Sequence, residues 1–215
     1  MMKKTILWSI ILILPLLSFG QNTKKAKGFL KFGTGMYLDL SYLFHYKTYK
    51  DPFSGIPPEA LVPGKTLWIE GGYRLSNDLI VTANVMFVSV KRKYIDLVYQ
   101  GQKHLAFQQN YSLNVGYEVN LGKGNKFLPQ LGLLYNILST TTAEYYGDIH
   151  DDGSITNFNP YISDVNDKEI GINLSLDYYY QFKSNLFVGV RANAIYLLGI
   201  GMEGLSFTPI VGVKF

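Results

Sequence analysis

Three groups of residues in this chain could do chemistry. The first is a set of charges, Lys31, Arg74, Arg191 and Lys214 against Asp39, Glu70, Glu118 and Asp177, each standing in a stretch where every second residue is apolar. All eight share the parity of Gly, Asn, Ser and Gln rather than that of Leu, Phe and Tyr. Four against four is neutral. Carboxylates and cations enclosed together form charge-assisted bridges that can hold a core, or that can gate an ion path if they rearrange. Counting outward from a pairing of Phe182 with Leu186 across the short segment 183–185 sets Asp177 opposite Arg191, since both pairs share one residue-number sum.

The second group is the histidines His45, His104 and His150. Acyl transfer or hydrolysis needs a nucleophile within hydrogen-bond reach of such a base, and no closely spaced His and Ser pair on a strand stands out. The chain therefore reads as a non-enzyme, with no catalytic, cofactor-binding or metal residue assigned. The third group is acidic: Glu144, Asp148, Asp151, Asp152, Asp164 and Asp167 against Lys168, within 143–168. The run from Asp148 to Gly153 is a faint match to a calcium loop, but Asn159 occupies the twelfth position, where that motif places a bidentate Glu. A solvated acidic outer loop is expected, with weak divalent-cation binding left open.

The elements that must position these residues are strands. In 206–215 the odd positions Phe207, Pro209, Val211, Val213 and Phe215 alternate with small or polar residues. The same code runs through about 28–46, 65–75, 79–90, 105–121, 127–140, 169–182 and 186–196, which makes eight strands. The clearest sets Phe107, Tyr111, Leu113, Val115 and Tyr117 against Gln108, Asn110, Ser112, Asn114 and Glu118. The third is the least clean, because Ile80, Val88 and Val90 break its polar side. The first, at about 28–46, outlasts the roughly 9 to 11 residues that a tilted membrane strand needs.

Connections at 76–78, 122–125 and 183–185 are short, while those at 47–64, 91–104, 143–168 and 199–204 include three much longer ones. Short periplasmic turns and long outer loops belong to bacterial outer-membrane barrels, and an even strand count puts both ends of the chain on the periplasmic side. Pro52, Pro57, Pro58 and Pro63 restrict the first outer loop. A soluble barrel would alternate too, with its apolar face inside. The polar face here carries Gly, Asn, Ser and Gln rather than the Lys and Glu of a water-facing wall, and the opposite face would overfill so small a barrel. Aromatic residues complete the membrane reading: Tyr42, Tyr46, Tyr111, Tyr135 and Tyr196 near one rim, and Tyr73, Tyr117, Tyr180 and Phe182 near the other, suit two interfacial girdles.

Residues 1–20 carry Lys3 and Lys4, an apolar run from Ile6 to Leu17, then Ser18 and Gly20 before Gln21, the layout of a secretory signal peptide. Residues 21–27 then form a short tail and 28–215 the barrel domain. Without Lys3 and Lys4 the net charge of +4 falls to about +2, with the remaining cations dispersed along the chain, which argues against nucleic-acid binding. Zero cysteines exclude disulfides and a cysteine-ligated zinc site.

The leader, eight alternating strands, short inner turns and terminal Phe215 resemble the small outer-membrane β-barrel proteins of OmpA-barrel, OmpX and OmpW type. The leader end Phe19-Gly20-Gln21 is similar to those common in Bacteroidetes, where the related outer-membrane β-barrel family that includes PorT occurs. The resemblance covers 28–215 and rests on pattern. It implies an all-β, eight-stranded antiparallel transmembrane up-and-down barrel in the cell outer membrane, set among its lipids and lipopolysaccharide. It further implies insertion by the barrel-assembly machinery through Phe215, and a structural or adhesive role with a protein partner at the outer loops. A narrow passage for ions or small apolar molecules is the alternative. A lipid-modifying enzyme is the second, since outer-membrane lipid A deacylases and palmitoyltransferases are similar small barrels.

Overall fold

The computed structural model describes residues 27–41, 61–76, 78–93, 103–150 and 155–215. Its strands are β1 (Gly28–Asp39), β2 (Val62–Ser76), β3 (Leu79–Lys93), β4 (Lys103–Tyr117), β5 (Val119–Gly122), β6 (Asn125–Ile149), β7 (Ile155–Gln181), β8 (Leu186–Leu197) and β9 (Gly201–Lys214). Consecutive strands pair antiparallel except β4 with β5, β1 pairs with β9, and β4 with β6, so the sheet closes on itself. β4 and β5 act as one stave in a single register against β6, which makes eight. Their break at Glu118 has a cause on the partner: Pro129, opposite Tyr117, has no N–H to donate. Pro209 interrupts the closing seam in the same way, since the β1–β9 register runs to Phe32↔Val211 and resumes only at Met36↔Phe207.

Exposure alternates with sequence parity. Leu133, Met36 and Leu113 are 72%, 73% and 67% exposed, whereas Lys31, Glu70 and Asp177 are at most 1% exposed. An apolar exterior around a buried charged interior inverts a soluble fold and matches a wall facing lipid. Tyr73, Tyr117, Tyr178, Tyr180 and Phe182 are exposed toward the end that holds the tight turns, and Tyr111, Tyr135 and Tyr196 toward the other. On the outer wall, Ala192 and Ala194 leave an apolar groove of about 480 Å³ between Leu174 and Leu176 on one side and Leu205 and Phe207 on the other.

The interior is not purely polar, which corrects the expected sorting. Ile80, Val88 and Val90 point inward and are at most 1% exposed, alongside Phe29, Tyr37, Trp68, Tyr179, Phe187, Ile195 and Ile210. Eight strands can hold these side chains because glycines on neighbouring strands make room. A Cβ on Gly33 would stand 2.8 and 2.9 Å from atoms of the Trp68 ring, and one on Gly72 would strike the Phe29 ring.

Two connections also depart from expectation. The 199–204 segment is a turn at 198–200, with β9 already begun at Gly201. The acidic 143–168 segment is mostly strand: β6 and β7 stay paired to Ile149↔Ile155, beyond their last pairs with other neighbours at Ser139↔Phe107 and Gly171↔Leu197. Among the described residues the result is a two-stranded ribbon with no third strand paired to it, about 30 Å long at the usual rise per residue. Asp148 pairs with Thr156 and Tyr146 with Asn159, so the first and twelfth positions of the stretch likened to a calcium loop lie on paired strands, while 151–154 lie outside the described residues. β1 ends at Asp39, short of the expected Tyr46. The leader, the tail to 26, Tyr42, Phe44, His45, Tyr46, Pro52, Pro57, Pro58, Asp151 and Asp152 lie outside the described residues.

If Gly33 is the seat of the Trp68 ring, Gly33→Val should destabilise the barrel by about 1 to 3 kcal/mol through overpacking. Urea unfolding in micelles, followed through Trp68 as the one tryptophan outside the leader, measures this. A wild-type midpoint would overturn the packing assignment.

Candidate functional site

Parity alone sends Lys31, Glu70, Asp177 and Arg191 into the lumen, from β1, β2, β7 and β8. Register then sets Lys31 beside Glu70 and Asp177 beside Arg191. Closure of the barrel joins the two pairs. Arg191 donates from Nε and Nη2 to Asp177 at 2.6 and 2.8 Å, and its Nη2 lies 2.9 Å from Glu70. Lys31 Nζ lies 2.7 Å from Glu70 and also bridges Asp177. Each cation therefore touches both carboxylates, and the four alternate in a closed neutral ring.

The ring's remaining capacity is filled. Gln130 Nε2, from β6, donates to Glu70 and Asp177 at 3.3 Å each, which ties the far wall to the ring. Thr82 donates to Gln130 at 2.8 Å, and Asn114 and Asn173 extend the chain of bonds. The Arg191 guanidinium lies 3.9 Å from the Trp68 ring centroid, and Trp68 Nε1 donates to Thr208 at 2.9 Å. A cation held against an aromatic face and two carboxylates has few alternative positions.

A second cluster lies nearer the tight turns. Glu118 accepts from Arg74 Nη2 at 2.5 Å, from Lys214 Nζ at 2.9 Å and from the Tyr179 hydroxyl, with Lys126 Nζ at 3.8 Å. Tyr179 packs on Phe187, whose ring meets Phe29, so aromatic rings fill this part of the lumen. Toward the opposite end, Tyr37 donates to Gln108 at 3.4 Å, and Gln108 donates to Glu203. Asp39 stands apart from the ring and accepts from the backbone and hydroxyl of Ser41 at 3.1 and 2.7 Å. Among the described residues, six buried polar atoms, on Thr66, Asn110, Asn136, Thr140, Ser175 and Ser206, have no hydrogen-bond partner in the protein. All six sit on the side of the ring away from the tight turns, along their strands.

The charges read from sequence thus separate: Lys31, Glu70, Asp177 and Arg191 meet, Arg74, Glu118 and Lys214 meet elsewhere, and Asp39 joins neither. Sequence reasoning missed Glu203, which fell in an expected loop, and Lys126, Gln130 as a ring contact, Trp68 and Tyr179. The inward parity of Trp68 and Tyr179 could have exposed them, but size argued otherwise. His150 Nε2 lies 2.7 Å from Thr156 Oγ1 across the exposed ribbon.

Removing one ring member strands its partners in a desolvated interior. Asp177→Asn and Arg191→Gln should each cost about 3 to 5 kcal/mol, with the double variant recovering part of the loss. Strictly additive losses in a double-mutant unfolding cycle would contradict the ring.

No protein-family model and no curated protein matches this chain. Among solved structures, it is similar to Neisserial surface protein A (NspA) at 16% identity and a TM-score of 0.54, covering 87% of this chain and 97% of that one. It is also similar to the outer membrane protein OprG from Pseudomonas aeruginosa at 12% identity and a TM-score of 0.52, covering 88% and 97%. With its closed topology and its inverted exposure pattern, the chain is a small eight-stranded transmembrane β-barrel with the fold of outer-membrane barrel proteins.

Proposed function

We propose that this protein resides in the outer membrane, is not an enzyme, and works as a structural and adhesive scaffold through its outward-facing segments. One observation carries the reading: seven of the eight inward charges are tied to one another in two lumen clusters, while the β6–β7 ribbon pairs with no third described strand. The ribbon suits contact with another chain because, among the described residues, one of its edges has neither a paired strand nor a block. Leu198 N donates to Ile170 O, so even-numbered residues of β7 direct their backbone groups toward β8. Pro160 has that parity, and its missing N–H blocks the free edge of β7. On the other edge, β6 keeps unblocked backbone groups from Thr141 to Tyr145, where an added strand would find partners.

In this reading the tight turns are periplasmic and the ribbon is extracellular, with lipopolysaccharide and lipid around the apolar band. Phe215 and the apolar residues spaced two apart before it form the signal taken by the barrel-assembly machinery. A second reading, a narrow passage, draws support from the six unpartnered polar atoms on one side of the ring, which favour water entry from that end. Planar-bilayer recording separates the two, since a packed ring predicts no steady conductance and a passage predicts one.

Replacing residues 141–164 with a short turn should leave a heat-modifiable, membrane-inserted barrel and abolish adhesion of expressing cells to surfaces and to one another. Unchanged adhesion by correctly inserted protein would reject the scaffold reading. For orientation, a single Cys at Asp152 should react with an impermeant reagent on whole cells, while one at Ser184 should not; the reverse pattern inverts the topology. Deleting Phe215 should lower the yield of inserted barrel, and a wild-type yield would remove it as an assembly signal.

A further inference from the structure

We infer that the barrel end with the tight turns is a basic surface that holds anionic phosphate headgroups of the surrounding leaflet. The inference rests on the reading above only in taking that leaflet as periplasmic. Closure brings together six cations that are far apart in sequence. Lys27 precedes β1, Arg74 lies near the end of β2, and Lys123 and Lys126 flank the start of β6. Lys183 sits in the β7–β8 turn, and Lys214 ends β9.

Among the described residues, the acidic side chains at that end are Asp78 and Glu118. Glu118 is shared by Arg74, Lys214 and Lys126 at 2.5, 2.9 and 3.8 Å, and Asp78 meets Arg74 at 3.4 Å while itself 45% exposed. Cations already outnumber carboxylates in this cluster, before the exposed Lys27, Lys123 and Lys183 are counted. The mid-lumen ring, by contrast, is neutral. Positive charge therefore accumulates at this rim and is not cancelled further in.

The rim's depth identifies the anion. Tyr73 adjoins Arg74 in sequence, and Phe182 adjoins Lys183, with both rings exposed on the lipid-facing wall. The Tyr178 hydroxyl donates to Asn125 at 3.0 Å, next to Lys126, and the Tyr117 hydroxyl to Asp78 at 3.4 Å. Rings of this kind sit at the level of the headgroups, so the cations beside them stand at the level of lipid phosphates. Attraction of lysines to an anionic membrane surface acts over about a Debye length and is lost in strong salt.

The test is lipid selectivity of the mature barrel refolded into phosphatidylcholine vesicles, read by electron spin resonance with spin-labelled phosphatidylglycerol against spin-labelled phosphatidylcholine. The wild type should prefer the anionic lipid by about threefold or more at low salt. The preference should approach unity at high salt and in Lys123→Asn/Lys126→Gln/Lys183→Gln. Lys123→Asn/Lys183→Gln leaves the Glu118 cluster intact and should lose most of it, which guards against a folding defect in the triple variant. Lys65→Gln/Lys91→Gln, at the opposite end, should leave the loss caused by Lys123→Asn/Lys183→Gln unchanged in size. No preference in the wild type, or one insensitive to these lysines, overturns the inference. So does displacement of the labelled lipid by inorganic phosphate, which would make this a soluble-phosphate site. Lysine-dependent binding to cell-wall sacculi with no lipid preference also overturns it. Orientation does not enter, because the vesicles carry the same lipid in both leaflets.

Discussion

A backbone crossing hydrocarbon has no water to bond, so every N–H and C=O must find a partner in the protein. Closure of the ladder between β1 and β9 is the constraint on which the rest of this molecule depends. It removes both sheet edges, and it fixes which side chains face lipid and which share the lumen. Two of the places where the ladder falters, opposite Pro129 and Pro209, are those where a donor is missing covalently. The ribbon is the longest described stretch where pairing continues past the closed sheet, and there Pro160 lies on one edge and unblocked backbone groups of β6 on the other.

Closure also explains why the interior can be charged. A narrow lumen brings side chains from opposite walls within contact, so Lys31 and Arg191 each reach two carboxylates that their own neighbours in sequence could not supply. Such a ring adds specificity more than net stability, because desolvating four charges offsets much of their attraction. A strand slipped by one residue would turn a ring member into lipid and leave three charges unbalanced. The ring therefore acts as a register lock, with Trp68 over Arg191 and Gln130 across both carboxylates reinforcing it.

Charge is distributed unevenly along the barrel axis. The centre is neutral, the end with the tight turns is basic, and the ribbon at the far end is acidic in composition. The basic end also holds the aromatic fill of Phe29, Tyr179 and Phe187, while the unpartnered polar atoms gather on the other side of the ring. A barrel packed at one end and polar at the other has different work for its two faces. In the proposed reading the first meets lipid headgroups and the second meets another chain.

The local pattern determined the fold class, because a side chain's face depends on parity alone: a polar residue between apolar ones must turn away from lipid. The facing of Asp177 and Arg191 was legible for a related reason, since a short turn sets register over the strands it joins. Connections were less legible. Glu203 and the acidic stretch at 143–168 were read as loop because polar, alternation-poor segments look alike whether they form turns or a solvated ribbon. Trp68, Tyr179 and Phe187 carry inward parity, but no local rule reveals that a neighbouring strand offers a glycine to receive rings of that size. Only tertiary closure could decide that four charges would form one ring, that Asp39 would stay outside it, and that six cations dispersed along the chain would collect at one rim. Each of these depends on distances between strands that are far apart in sequence, and residue order alone does not carry such distances.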